Sequence, residues 1–125
     1  MPTERNVRAV RGATTVERDE AMLVCDATRE LLDEMLARNG ATADDVISAV
    51  FTVSPDLRSE FPARAARDLG WEHVAMLCTT EMPVPGAIER CVRVMLHVEL
   101  PGSQRDVKHA YLRNAAVLRP DLTRP

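Results

Sequence analysis

Cys91-Val92-Arg93-Val94-Met95-Leu96-His97-Val98-Glu99-Leu100 is the stretch on which the fold turns. Val92, Val94, Leu96, Val98 and Leu100 fill one set of alternate positions, and Cys91, Arg93, Met95, His97 and Glu99 fill the other. A period of two with branched side chains is that of a β-strand, one face wholly apolar and the other mixed. Arg93 stands in mid-strand on the mixed face, where an uncompensated guanidinium is costly to desolvate. An internal salt bridge to Glu81 or Glu99 would satisfy it. So would a bound carboxylate, which the planar fork of arginine meets at two points.

On the C-terminal side Pro101-Gly102-Ser103 breaks the strand. Gln104 to Arg113 then fits a short helix carrying Tyr111, and Ala115 to Leu118 a short last strand. On the N-terminal side Ala87 to Arg90 fits one helical turn after a loop, Met82-Pro83-Val84-Pro85-Gly86. His73 to Cys78 reads as a strand, with Cys78 and Glu81 at its end, where side chains can line a cleft. Pro62 suits the first turn of a short helix that ends at Gly70 and carries Arg64 and Arg67. Ser54-Pro55-Asp56-Leu57 is a turn, and the β-branched run Val46 to Val53 is a strand placed centrally in the sheet.

The first fifty residues supply one more strand and the long helix. Asn6 to Val10 alternates, putting Val7, Ala9 and Arg11 on one face, so that a second arginine shares a face with apolar groups. Thr14-Thr15-Val16-Glu17 has the form of a capping box. A helix then follows with Met22, Leu23, Ala27, Leu31 and Met35 on its apolar side and Asn39-Gly40 at its end. Thr42 to Asp45 is a turn or a single helical turn. The sum is an α+β chain: a mixed sheet of about five strands packed by one long and one or two short helices. Strands outnumber the helices available to cover them, so one sheet face calls for another subunit.

Composition narrows the function. A chain of 125 residues is expected to be a single domain, 1–125, and its only aromatic residues are Phe51, Phe61, Trp71 and Tyr111. A net charge of -3 gives no electrostatic reason to expect nucleic acid or an anionic membrane. No apolar run is long enough for a membrane span and the first residues lack a leader pattern, which points to a cytoplasmic protein. Cysteines 25, 78 and 91 are odd in number and widely spaced, suiting reduced thiols. Histidines 73, 97 and 109 have no metal-ligand spacing, and the isolated Gly12 and Gly86 form no phosphate loop or dinucleotide fingerprint, so neither metal nor cofactor is expected. Cys78 beside an acid reads as a packed small hydrophobe rather than a nucleophile, since Glu81 offers neither a strong base nor positive potential.

Taken together, Val10-Arg11-Gly12-Ala13-Thr14-Thr15-Val16-Glu17-Arg18-Asp19, Ser54-Pro55-Asp56-Leu57 with Phe61-Pro62-Ala63, Cys91-Val92-Arg93-Val94-Met95, and Tyr111 with Val117-Leu118-Arg119-Pro120-Asp121-Leu122 resemble the monofunctional bacterial chorismate mutases of the trimeric α/β type. The likeness runs over roughly residues 8 to 122. It implies rearrangement of chorismate to prephenate without a cofactor, in a homotrimer with a barrel-like core and active sites between subunits. By the same likeness Arg11 and Tyr111 hold the side-chain carboxylate, Cys78 and Glu81 lie near the ring hydroxyl, and Arg93 reaches the ether oxygen. Phe61 is a wall from across the interface; Arg64, Arg67 and Arg119 are positive residues near the mouth; Leu77 and Leu118 complete the substrate contacts. Arg64 replaces a frequent Lys, Leu77 replaces a more polar residue, and the loop Pro83-Val84-Pro85-Gly86 is stiffer than the family pattern. The rival readings are a different interface-arginine enzyme acting on a small carboxylate, such as an imino-acid deaminase, and a trimeric sensor that binds an aromatic-pathway metabolite without turning it over.

Overall fold

The computed structural model describes residues 4–118. Five strands, β1 (Arg5–Thr15), β2 (Val46–Val53), β3 (Ala75–Thr80), β4 (Cys91–Pro101) and β5 (Ala110–Tyr111), form one mixed sheet in the order β3-β2-β4-β1-β5. The centre is therefore β4, the strand with the cleanest alternation, while β2 lies one place to its side. β4 runs antiparallel to β1 along its whole length, from Arg5↔Pro101 to Thr15↔Cys91, and antiparallel to β2 on its other side. β2 with β3 and β1 with β5 are parallel pairs.

Two helices, α1 (Ala21–Arg38) and α2 (Ala63–Asp68), cover one face. Val24, Ala27, Leu31, Leu32 and Met35 of α1 meet the apolar set of β4, Val92 to Leu100, together with Phe51, Ala66 and Trp71. An irregularity at Ile47 resets the pleat of β2, so that Val46 and Ala49 both enter this core although their spacing is odd. The opposite face carries Arg11, Arg93, Met95, His97, Val50 and Leu77 by register, and neither helix lies on it. Among the described residues, a small cluster of Ala13, Cys91, Tyr111 and Ala115 with Ile88 against it closes its upper end.

Several local expectations give way to the sheet. Thr14 and Thr15 do not cap a helix; they are buried at the end of β1 opposite Val92 and Cys91, and α1 begins at Ala21 after Glu20 without a side-chain cap. An unbroken eleven-residue ladder satisfies more backbone than a capping box would. The third strand lies two residues later than its β-propensity suggests, because its parallel ladder starts at Ala75↔Ser48 and ends with β2 at Thr80↔Val53.

The helical turn expected over 87–90 is absent. Arg90 N–H donates to both carboxylate oxygens of Asp56, at 3.1 and 2.9 Å, and its carbonyl accepts from Val16 N–H at 2.9 Å. Those bonds occupy the groups a helical turn would need, and Arg90 takes a left-handed φ of 48°. Tyr111 belongs to no helix: Gln104–Asp106 is a single 3-10 turn, and Ala110–Tyr111 adds a short strand to the edge of β1. The last strand expected over 115–118 is part of a 3-10 segment, Arg113–Leu118. Gly40 and Gly70, with φ of 62° and 85°, end α1 and α2 as their positions suggest.

Candidate active site

On the helix-free face, Arg11 comes from β1 opposite Met95, and Arg93 comes from β4 opposite Ala13 on one side and Thr52 on the other. Tyr111 reaches the same place from β5 through its pairing with Ala13. Glu81, one residue beyond β3, is held there by its N–H donating to Val53 O at 2.8 Å. These four side chains line one hollow of about 270 Å³, floored by Val50, Thr52 and Met95. The alternation of β2 was the available signal for Val50 and Thr52, which share the face of Met95 and Arg93 by register.

Arg93 Nε lies 3.1 Å from Glu81 Oε1, with the two side chains 36% and 34% exposed. Of the two internal partners open to Arg93, Glu81 is the one it takes. Nε is nonetheless a buried nitrogen without a directed hydrogen bond, so the contact is an ion pair whose geometry is off the N–H axis. Half-exposed pairing of this kind orients a guanidinium more than it neutralises it. The Cys91 thiol lies beside Arg93; burial pushes its pKa up to about 11 even against the pull of that guanidinium. It stays protonated near neutrality and leaves the positive charge of Arg93 uncancelled.

Arg93 and Glu81 also form a wall of a second hollow, about 480 Å³, beneath the 82–89 loop. Its floor is a hydrogen-bonded pin between strand ends. Ser54 Oγ donates to Asp56 Oδ1 and accepts from Cys91 N–H at 2.9 Å, and Ser54 N–H donates to Cys91 O at 2.9 Å. Asp56 is in turn bound to the amide of Arg90. The pin sets the start of β4 two residues before Arg93. Neither Ser54 nor Asp56 stands out as a positioning group in the sequence, because the partners that reveal it are more than thirty residues away.

The remaining candidates gather elsewhere. Phe61, Arg67, Leu77 and Cys78 line a hollow of about 540 Å³ at the outer edge of the sheet, and Phe61 and Cys78 also line a smaller one with Leu57 and Thr80. Cys78 thus lines these edge hollows, whereas Glu81 lines the two described above. Arg64, on α2, is engaged with Glu60 and Asp68 at the surface. Phe61 is 63% and Leu77 70% exposed, unusual for large apolar groups and a sign that something should cover them. Leu118 is half-buried against the Tyr111 cluster. Arg119 lies outside the described residues. β3 and β1 are separated by three strand spacings, roughly 14 Å. Within one chain the two groups thus line separate hollows, one at the β3 edge and one around Arg93.

The sequence is similar to known proteins along nearly all of its length. A family model described as chorismate mutase type I matches residues 7–122. The chain is 48% identical over 117 residues to the chorismate mutase AroH of Thermus thermophilus, covering 93% of this chain and 96% of that protein. It is 41% identical over 118 residues to the chorismate mutase AroH of Bacillus subtilis (strain 168), covering 94% and 93%. A solved chorismate mutase structure from Clostridium thermocellum superposes with a TM-score of 0.85 at 48% identity, over 87% of this chain and 97% of that one.

Proposed function

The chain belongs to the chorismate mutase type I family and is an isomerase of aromatic amino-acid biosynthesis that turns chorismate into prephenate; from that premise we propose which of its residues hold the substrate and how copies of it assemble. The observation that carries the proposal is the meeting of Arg11, Tyr111, Arg93 and Glu81 in one hollow, although they come from four separate parts of the chain. The unit is a single cytoplasmic domain, and no described helix is long and apolar enough to cross a membrane.

Arg11 and Tyr111 take the side-chain carboxylate, the arginine by its fork and the phenol by a hydrogen bond. Glu81 accepts a hydrogen bond from the ring hydroxyl and keeps Arg93 turned toward the substrate by pairing with it. The reaction is a pericyclic [3,3] shift in which the C–O bond breaks ahead of C–C bond formation, so negative charge gathers on the ether oxygen. No proton has to move. What the site supplies is a folded, chair-like substrate and a positive group where the charge develops. Arg93 is that group.

The second set, Phe61, Arg64, Arg67, Leu77 and Cys78, closes the site from a neighbouring subunit, with Leu118 and Arg119 at the mouth. Three copies joined through their helix-free faces bring each edge hollow against the next copy's arginine hollow. The exposure of Phe61 and Leu77 and the uncovered sheet face support this assembly. Replacing one oxyanion-type donor typically costs about 100 to 1000-fold in rate. Arg93→Ala is therefore expected to lose at least that much in prephenate formation from chorismate, and Arg93→Lys to lose nearly as much, because an ammonium lacks the fork. Near-normal turnover of Arg93→Ala would defeat the assignment.

A further inference from the structure

We infer that His109 is a positioning residue for the carboxylate grip: its imidazole ties the backbone of Arg11 to the segment that carries Tyr111, and so sets the spacing of those two side chains. The inference rests on the reading that Arg11 and Tyr111 bind the substrate carboxylate.

The outer edge of β1 is paired with β5 at only two positions, Gly12↔Ala110 and Ala13↔Tyr111. Below them, edge groups of β1 would be left without strand partners. Side chains take over the ladder. The Gln104 amide accepts from Ala9 N–H at 2.9 Å and donates to Ala9 O at 2.6 Å. Arg11 N–H donates to His109 Nδ1 at 2.9 Å. A ring nitrogen accepts only while it carries no proton, so the fitting form is the neutral imidazole with its hydrogen on Nε2.

The ring is presented from a backbone that is itself held. His109 O accepts from Arg38 Nη1 at 3.0 Å, and the amide of Asn39 closes on Lys108 from both sides, donating to its carbonyl at 2.8 Å and accepting from its N–H at 2.9 Å. Arg38 and Asn39 end α1, so the imidazole fixes β1 relative to the helix as well as to β5. Two residues on from His109, Tyr111 enters the hollow; the residue it binds, Arg11, enters the same hollow from the other strand. Without the ring both side chains remain, but the amide at the root of one of them loses its partner and their separation is no longer set. A small misplacement in a site that works by orientation is expensive.

The test is steady-state kinetics with chorismate together with nitrogen NMR of the histidine rings. His109→Ala is expected to raise KM about tenfold while changing kcat far less, the effect of one lost positioning bond on substrate binding. His109→Asn, whose Oδ1 falls near the place of Nδ1, should recover most of that loss; His109→Gln, whose acceptor falls near Nε2, should not. If His109→Ala leaves KM unchanged while Arg11→Ala raises it, the inference fails and the carboxylate assignment stands. If neither variant moves KM, the carboxylate assignment itself fails and takes the inference with it. In the unaltered enzyme the His109 ring should show an unprotonated Nδ1 and a hydrogen on Nε2. A hydrogen on Nδ1 would overturn the proposal whatever the variants do.

Discussion

A methyl group added at Gly12 would sit 2.5 Å from Met35 Sδ and 3.0 Å from Leu31 Cδ1. Both neighbours are fully buried, so α1 approaches β1 closely only because this position has no side chain. Overpacking of a filled core costs typically about 1 to 3 kcal/mol, and Gly12→Val is expected at the upper end of that range, read as a lowered denaturation midpoint. Next to Gly12, Arg11 keeps its side chain on the helix-free face, so such a loss would be one of stability before one of chemistry. Cys91 supplies a pH prediction at the same scale. Its thiol ionises near 9.0 in a free chain but is pushed up to about 11 by burial in the fold. Between those values the unfolded chain gives up a proton that the folded chain keeps, so folding stability falls as pH rises through that window and is unaffected below it. Comparing chemical denaturation at neutral and alkaline pH, the unaltered protein should lose more stability than Cys91→Ala. Equal losses would show that the thiol is not shielded.

At the scale of elements, the junction of β1 and α1 shows a ladder prevailing over a local motif. Thr15 Oγ1 accepts from Asn114 N–H at 3.2 Å and Thr14 is buried beneath the helix, so neither hydroxyl reaches an α1 amide. Glu17 is exposed and lies ahead of the helix rather than in its first turn. Glu17→Ala should therefore change stability by less than about 0.5 kcal/mol, as an ordinary surface substitution does. A capping box would lose about 1 kcal/mol on the same change, and calorimetry distinguishes the two. A genuine capping box closes the turn before β2, where Thr42 and Asp45 satisfy each other's backbone groups. There no strand competes for the threonine. The same logic explains Tyr111: residues 104–113 suit a helix by composition, but the free edge of β1 offers a ladder, and the segment is drawn out along it by Gln104, His109 and Ala110–Tyr111.

At the scale of the molecule, the two sets of candidate residues lie on separate parts of one chain, so activity should require assembly. A solution mass measurement is expected to give three copies; an active monomer would remove the shared site. Subunit mixing is more telling. Arg93→Ala disables one half-site and the double variant Arg64→Ala/Arg67→Ala disables the other. In a cyclic trimer that contains both kinds of chain, one junction always joins the two intact halves. Two preparations that are each nearly inactive should thus regain activity after unfolding and refolding together, and no recovery would mean that each site is built within a single chain.

Much of this was readable in the residues. The alternation over 91–100, the branched run 46–53 and the recurrence of Leu23, Ala27, Leu31 and Met35 at four-residue steps indicated strands, helix and faces, because side-chain period is a local property of the backbone; Met22, expected on the same apolar side, is instead 74% exposed. That Arg93 would meet an anion also followed from the sequence alone, since a guanidinium among apolar neighbours is a local conflict, and Glu81 is the anion it takes; Arg11, by contrast, lies exposed. The four-residue convergence on one hollow did not: it depends on the strand order β3-β2-β4-β1-β5, which brings Tyr111 beside Ala13 and Glu81 across to Arg93. Nor did the pin of Ser54 and Asp56 on Cys91 and Arg90, or the bond from Arg11 to His109, whose partners lie 34 to 98 residues apart. Local pattern specifies which face a side chain takes; which other side chain waits there is decided by register and topology, and those are set only when the whole sheet closes on its core.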